Sequence, residues 1–219
     1  ELLRDITSDP TVLDWSAATS YEAMAAHSSQ TGTLTGEGDA ARLAGSAGTG
    51  RFFDVLGVRP ALGRAISAAD AEFGAAPVVV LSHGTWVRHF GADPSVIGRT
   101  IRLAGSREVI GVMPPGITWP DGAEFWTALA PDEESAGLFE SRGALWLGVV
   151  GRLKPGVTVA GASSEMETIM AGLREEFPGL GENGVFVEPL RDTIVGDVRP
   201  ALLVLLGAVG FVLLIACAN

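Results

Sequence analysis

The chain has 219 residues, enough for one large domain or two small ones, and it can bury a core without disulfide bonds. It carries 26 acidic and 15 basic residues, a net charge of −11, which argues against nucleic-acid binding because that depends on Lys and Arg meeting phosphates. The hydrophobic fraction is nevertheless 47% and the mean hydropathy is +0.32, which is high for so acidic a chain.

The first quarter of the chain predicts two short helices around a hairpin. Asp9, followed by a proline, indicates the N-cap of a helix that reaches residue 18. Residues 21–34 and 42–47 are predicted to form two strands of a hairpin, joined by a glycine-rich turn. A Gly-Thr-Gly break then precedes a short helix over residues 51–56.

The segment from Gly57 to Ala130 reads as a compact and mainly β module, because turn signals recur between short apolar runs. Its predicted elements are a buried strand at 77–81, a helix at 84–90 capped by Ser82, and strands at 100–103 and 107–112.

After residue 145 the pattern changes to strand, helix and strand. Trp146 to Leu153 is a predicted strand, Thr158 caps a helix that runs to about Phe177, and a further strand begins at Val185. One face of the helix carries the apolar residues Ala162, Met166, Ile169 and Leu173. This order predicts a βαβ unit.

Hydrophobicity is concentrated at the end of the chain. Residues 201–218 contain no charged side chain, and such a run forms roughly 27 Å of helix against a hydrocarbon core of ~30 Å. A buried core helix is the alternative, but the run is apolar all round. We predict the start of a transmembrane helix at 199–219, in a chain cut from a longer protein, with Cys217 facing lipid or packing between helices.

These segments predict an α+β fold of two modules. A βαβ module is formed from both chain ends, residues 1–56 and 145–198, and a mixed, mainly β module of residues 57–144 is inserted between them. Domain insertion brings the two ends of the βαβ module close together. Membrane anchors at both ends would therefore leave the domain from a single face.

Catalytic and metal-binding signals are weak. His83 and His89 are six residues apart, which is not the i, i+4 spacing of two ligands on one helix face, and His27 is remote in sequence. The adjacent pair Ser82-His83 lacks a G-x-S-x-G context, so Ser82 is interpreted as a helix cap. We therefore expect no catalytic, cofactor-binding or metal-binding residues and no cofactor.

Three other segments have simple structural interpretations. The acidic run Asp132-Glu133-Glu134 predicts a solvated loop, and Gly48-Thr49-Gly50 predicts a turn rather than a phosphate-binding loop. Trp119, Phe125 and Trp126 are interpreted as core residues, with an exposed binding patch as the alternative.

Four ordered blocks carry a family resemblance: FFDVLGVRPALGR at 52–64, PVVVLSHGTW at 77–86, GADPSVIGRTI at 91–101 and VIGVMPPG at 109–116. Together with the apolar end LLIACAN at 213–219, they resemble the periplasmic core domain of MacB/FtsX-like ABC transporter permeases, in particular the acidobacterial type.

The resemblance implies a porter-like subdomain built from both chain ends, with residues 1–198 on the periplasmic side of a bacterial inner membrane. It implies no enzymatic activity in this chain, which lacks a P-loop, and partnership with a cytoplasmic ABC ATPase. It further implies a permease homodimer, a periplasmic adaptor as a candidate partner, and coupling of ATP hydrolysis to export, including efflux, or to mechanotransmission.

Two alternatives remain open at the level of sequence. One is a membrane-anchored binding module for a ligand or adaptor, without a transport role. The other is an extracytoplasmic hydrolase, for which Ser82 and His83 are the only candidates.

Overall fold

A computed structural model describes residues 2–3, 6–133, 135–180 and 185–195, together with residues 204, 206, 208, 209, 212–214 and 216–218. The strands in these residues are β1 (Leu2–Leu3), β2 (Ile6–Thr7), β3 (Tyr21–Thr35), β4 (Ala41–Gly48), β5 (Leu62–Gly63), β6 (Val78–Leu81), β7 (Thr100–Leu103), β8 (Ser106–Val112), β9 (Phe125–Ala128), β10 (Leu147–Leu153) and β11 (Val187–Glu188). The α-helices are α1 (Asp9–Trp15), α2 (Phe52–Leu56), α3 (His83–Phe90), α4 (Ala136–Glu140), α5 (Val159–Glu176) and α6 (Leu190–Val195). Short 3₁₀ helices lie at Ala68–Ala71, Pro94–Val96 and Pro178–Leu180.

The long strand β3 joins the two parts of the fold. Residues 21–27 pair antiparallel with β10 on one side, and residues 27–34 pair antiparallel with β4 on the other. His27 stands where the two pairings overlap, opposite Gly148 and Gly48. A single strand therefore joins the part of the fold that contains β10 to the part that contains β4.

A barrel is formed by four strands of residues 57–144 together with β4 and the second half of β3, which lie in residues 1–56. Among the described residues, β3, β4, β9, β6, β8 and β7 pair in that order, and β7 pairs back onto β3 at Leu34 and Thr35. All six strands contribute side chains to one buried cluster, which includes Leu34, Leu103 and Phe125. The fold class is thus α+β, as predicted.

The strand β6 shows why four successive apolar residues occur in the sequence. Val79 and Leu81 point into the barrel, whereas Val78 and Val80 belong to a second cluster on its outer face. This outer cluster also contains Phe52, Phe53 and Trp126. Both faces of the strand are covered, so every side chain of β6 is buried.

The terminal part packs two helices against β10 and the first half of β3. Its core contains Trp15 of α1 together with Ala162, Met166, Met170 and Leu173 of α5. The predicted apolar face of α5 is confirmed, and Ile169 packs at its margin. Thr158 caps the helix as predicted, since its hydroxyl accepts a hydrogen bond from Gly161 N at 3.1 Å.

The carboxylate of Glu165 ties α5 to the turn before β3. It accepts hydrogen bonds from Thr19 N at 2.7 Å, Thr19 Oγ1 at 2.6 Å and Ser20 N at 2.8 Å. Burial raises the pKa of Glu165, but the hydrogen bonds from Ser20 and Thr19 outweigh this effect and lower the pKa to about 2. The ionised carboxylate is therefore the form that stabilises this junction.

Local details of α1 and of the final strand differ from the predictions, and α1 ends at Trp15 rather than at residue 18. The N-cap of α1 is Ser8 rather than Asp9, because extended backbone persists to Ser8 and the proline occupies the first turn. The final strand begins at Val187 rather than Val185 and pairs antiparallel with β1, so β10 and β11 are not bonded neighbours in the described residues. The N-terminal strands β1 and β2 instead pair with the two strands of the predicted βαβ unit, β11 and β10.

The predicted start of a membrane helix at 199–219 lies largely outside the described residues. The residues of this interval that are described are helical and exposed, including Val204, Leu206 and Leu214. No helix within the described parts of the chain combines the length and apolar character that a bilayer crossing needs. The membrane helix stays a prediction, as do the module boundaries at 56/57, 144/145 and 198/199.

Candidate functional site

A groove of about 460 Å³ opens on the surface where the two parts of the fold meet. Its walls come from the end of α2, the loop at 116–122 and the first residue of α6. The lining residues are Leu56, Val58, Gly116, Ile117, Thr118, Trp119, Asp121, Gly122 and Leu190. Five of these side chains are large and apolar, so the groove is an apolar site with a polar rim.

An aromatic cluster supports the wall of the groove. The Trp119 ring stacks on Phe52 with centroids 5.6 Å apart and planes inclined by 11°. His27 meets both rings edge-on, with centroid distances of 4.9 Å to Trp119 and 5.8 Å to Phe52. These contacts attach the loop at 116–122 to α2 and to the midpoint of β3.

His27 lies behind this wall in its neutral form. Burial lowers its pKa to about 4, although the nearby Asp121 carboxylate acts in the opposite direction. Its Nδ1 atom is buried and has no hydrogen-bond partner among the described residues. The Asp121 carboxylate instead accepts a hydrogen bond from Ser29 Oγ at 2.6 Å, at the rim of the groove.

A second, smaller cavity of about 190 Å³ contains Arg107. Burial lowers the pKa of this guanidinium, whose Nε donates to Ala104 O at 3.1 Å. The two acidic residues in the lining are already engaged, since Asp70 forms a bidentate pair with Arg64 and Asp132 accepts hydrogen bonds from Ser135. The two carboxylates of this cavity are therefore already occupied by partners within the chain.

The predicted helix cap Ser82 is confirmed. Its side chain is buried and accepts a hydrogen bond from Thr85 N at 3.1 Å, with Thr85 Oγ1 at 3.0 Å. His83 packs its ring against Trp86 with a centroid distance of 5.6 Å. The hydroxyl therefore has a structural role at the start of α3, which leaves it poorly placed as a nucleophile.

The remaining segments also take the predicted local roles. Thr49 O accepts a hydrogen bond from Phe52 N at 2.9 Å, which closes a turn over Gly50 and Arg51. Asp132 caps the turn before α4, Glu133 is exposed, and Glu134 lies outside the described residues. No group of three potential metal ligands occurs in the described parts of the chain.

Of the three aromatic residues predicted as core, Phe125 and Trp126 are fully buried. Trp119 is only half-buried and lines the groove, so it is partly a core residue and partly exposed on a surface that could bind a ligand. The sequence did not indicate the groove, nor that His27 and Asp121 approach each other. These residues are far apart in the chain, and no local motif links them.

Comparison with known proteins decides the family. The profile of the MacB-like periplasmic core domain matches residues 4–169, about three quarters of the chain. This chain belongs to that family. The predicted resemblance is confirmed, and a MacB-like periplasmic core domain is part of an ABC transporter permease rather than a classical enzyme.

Solved structures agree in fold. The periplasmic region of MacB from Actinobacillus actinomycetemcomitans aligns with a TM-score of 0.60 at 19% identity, covering 90% of this chain and 84% of that one. The extracellular domain of the noncanonic ABC-type transporter YknZ from Gram-positive bacteria aligns with a TM-score of 0.58 at 12% identity, covering 84% and 90%. A domain of a permease protein from Porphyromonas gingivalis aligns with a TM-score of 0.58 at 14% identity, covering 86% and 81%. No curated protein matches the chain in sequence.

Membership of this family makes the chain an extracytoplasmic segment of a membrane transporter. The family context includes the membrane and an ABC ATPase as partner. The MacB-like core domain is therefore one part of a larger transporter assembly.

Proposed function

We propose that this periplasmic core domain couples ATP hydrolysis by a cytoplasmic ABC ATPase to work outside the inner membrane, either export or mechanotransmission. The observation that carries the proposal is the pairing of β1 with β11, where Leu2 lies opposite Glu188 and Leu3 opposite Val187. Segments near both ends of the domain are thereby held side by side. Anchors that extend from them would enter the membrane on one face of the domain.

A path for force leads from this face into the barrel. The N-terminal segment pairs with β10 through β2, β10 pairs with the first half of β3, and β3 continues into the closed ring. These pairings form one continuous hydrogen-bonded connection from the N-terminal segment to the barrel. The exposed apolar residues between 204 and 214 support a membrane anchor on the C-terminal side.

The proposal extends to the assembly. We propose residues 1–198 to be periplasmic, and the permease to act as a homodimer with a periplasmic adaptor as a candidate partner. A membrane-anchored binding module without transport is the second candidate function, favoured by the groove beside Trp119.

The test uses the full-length permease reconstituted with its ATPase in liposomes. A fluorophore is attached to Glu167→Cys on the exposed face of α5, in a Cys217→Ser background, and acceptor dyes are placed in the lipid headgroups. A matched label at Asp39→Cys, in the turn between β3 and β4, reports the far part of the fold. ATP turnover should change energy transfer from at least one label, because the domain moves relative to the bilayer.

The control is an ATP analogue that the ATPase binds but does not hydrolyse. If energy transfer from both labels is the same with ATP, with the analogue and without nucleotide, coupled motion is excluded and the binding module is the better description.

A further inference from the structure

We propose that the groove beside Trp119 binds a small organic cation with an apolar body, such as a phosphonium or quaternary ammonium compound. The proposal concerns equilibrium binding to this chain alone. It does not rest on coupling to ATP hydrolysis, and either proposal can fail without the other.

The size and the walls of the groove suit an apolar body. Its volume of about 460 Å³ falls within the roughly 300–1,000 Å³ of small-molecule sites. Leu56, Val58, Ile117 and Leu190 line it and are each only partly buried, so apolar surface is left uncovered. A ligand that removes this surface from water gains free energy of binding.

The rim of the groove supplies a negative charge. Among the described residues, the Asp121 carboxylate has one hydrogen-bond donor, Ser29, and no Arg or Lys is ion-paired with it. His27 is the nearby basic side chain, but its lowered pKa keeps it neutral at pH 7. The charge of Asp121 is thus available to a ligand cation.

Trp119 adds a second attraction for a cation. Its ring lines the groove and is held in place by stacking on Phe52. A cation within about 6 Å of an indole centroid is attracted by the negative face of the ring. The net charge of −11 raises the local concentration of cations further.

The experiment compares two ions of the same shape and opposite charge. Tetraphenylphosphonium and tetraphenylborate are each titrated by equilibrium dialysis against the whole 219-residue chain at pH 7. Because Asp121 is exposed, we expect the cation to bind about three- to tenfold more tightly than the anion. Heteronuclear NMR on the same samples should place the cation-induced shifts at the Trp119 indole and the Ile117 methyl groups.

The variant Asp121→Asn removes the charge but keeps an oxygen that can accept from Ser29. We expect it to lose the preference for the cation, whereas Asp39→Asn, the same charge change in the exposed β3–β4 turn, should retain it. The proposal is overturned if the two ions bind equally, if both variants lose the preference alike, or if the shifts avoid Trp119. The comparison of ions and the NMR map use the unmodified chain, so they decide the matter even if Asp121→Asn does not fold.

Discussion

At the scale of single residues, burial sets the protonation state of His27. The imidazole lies among Phe52, Trp119 and the backbone of Gly148, where an ionised ring would be poorly solvated. Its pKa accordingly falls from 6.5 to about 4. The nearby carboxylate of Asp121 is too exposed to reverse this effect.

We predict that His27 makes folding stability depend on pH. Between about pH 6.5 and 4 the unfolded chain binds a proton at His27 that the folded chain does not, so the free energy of unfolding falls as the pH drops. Between pH 7 and pH 4.5, the free energy of unfolding of the unmodified protein should fall by about 2–3 kcal/mol more than that of the His27→Phe variant. Urea denaturation at both pH values measures this difference, and equal losses in the two proteins would contradict it.

Glu165 contributes a pH dependence of the same sign, at lower pH. Its lowered pKa of about 2 means that its contribution is present above pH ~4.5 and is lost as the pH falls toward 2. Glu165→Gln should lower the free energy of unfolding at pH 7 by about 1–2 kcal/mol, because charge-assisted hydrogen bonds from Thr19 and Ser20 are weakened.

The matched control for this prediction is Glu167→Gln, an exposed position on the same helix. Thermal denaturation of both variants separates the effect of the Glu165 hydrogen bonds to Thr19 and Ser20 from the general effect of removing a charge. A loss of the same size in both would show that the contacts of Glu165 contribute nothing specific.

At the scale of elements, the barrel depends on close packing between β4 and β9. A Cβ atom on Gly45 would overlap the Phe125 ring, lying 2.5 Å from its Cε1 atom. Gly45→Ala should therefore destabilise the fold by about 1–3 kcal/mol, the usual cost of overpacking a core. Gly137→Ala in α4, where no atom lies within 4 Å of the added Cβ, should have little effect.

Denaturant titration of both alanine variants checks this prediction. A double variant that also carries Phe125→Leu should recover part of the loss, because the smaller side chain leaves room for the new methyl group. A Gly45→Ala protein as stable as Gly137→Ala would show that the ring can move aside.

Substitutions at the start of α3 test both the helix cap at Ser82 and the hydrolase hypothesis. Ser82→Ala should cost about 1 kcal/mol of stability, because the amide of Thr85 loses its acceptor. Any hydrolysis of peptide or ester panels by the purified chain should be the same in Ser82→Ala and His83→Ala as in the unmodified protein. Loss of an activity in both variants, with the fold retained, would restore the hydrolase hypothesis.

At the scale of the whole molecule, charge and hydrophobicity occupy different parts of the chain. All charged side chains lie at or before Arg199, and the described side chains of the apolar interval beyond it are exposed, with 74% of Val204 and 68% of Leu214 accessible. Exposed apolar residues at this density are typical of a surface that contacts lipid or protein.

We predict that the 219-residue chain associates with neutral lipid vesicles and that a chain ending at Arg199 does not. The apolar residues of 201–218 gain free energy on leaving water, and the absence of charge in this run removes the main cost of entering lipid. Vesicle flotation of the two proteins measures the difference. Equal flotation would place the lipid contact in residues 1–199.

The sequence by itself determined the local structure and the family. The caps at Ser82 and Thr158, the buried strand β6 and the apolar face of α5 depend on residues within about four positions of each other, so their signals are contiguous. The four ordered blocks also identified the family without any knowledge of contacts, as the profile match confirms.

Only the tertiary structure decided the remaining features. The closure of β7 onto β3, the pairing of β11 with β1 and the approach of His27 to Asp121 all join residues that are distant in the chain. Such contacts are selected by how the whole core packs, because each local segment could satisfy its own preferences in several arrangements. The groove beside Trp119 arises from this packing, since its walls come from three separate segments that meet only when the fold is complete.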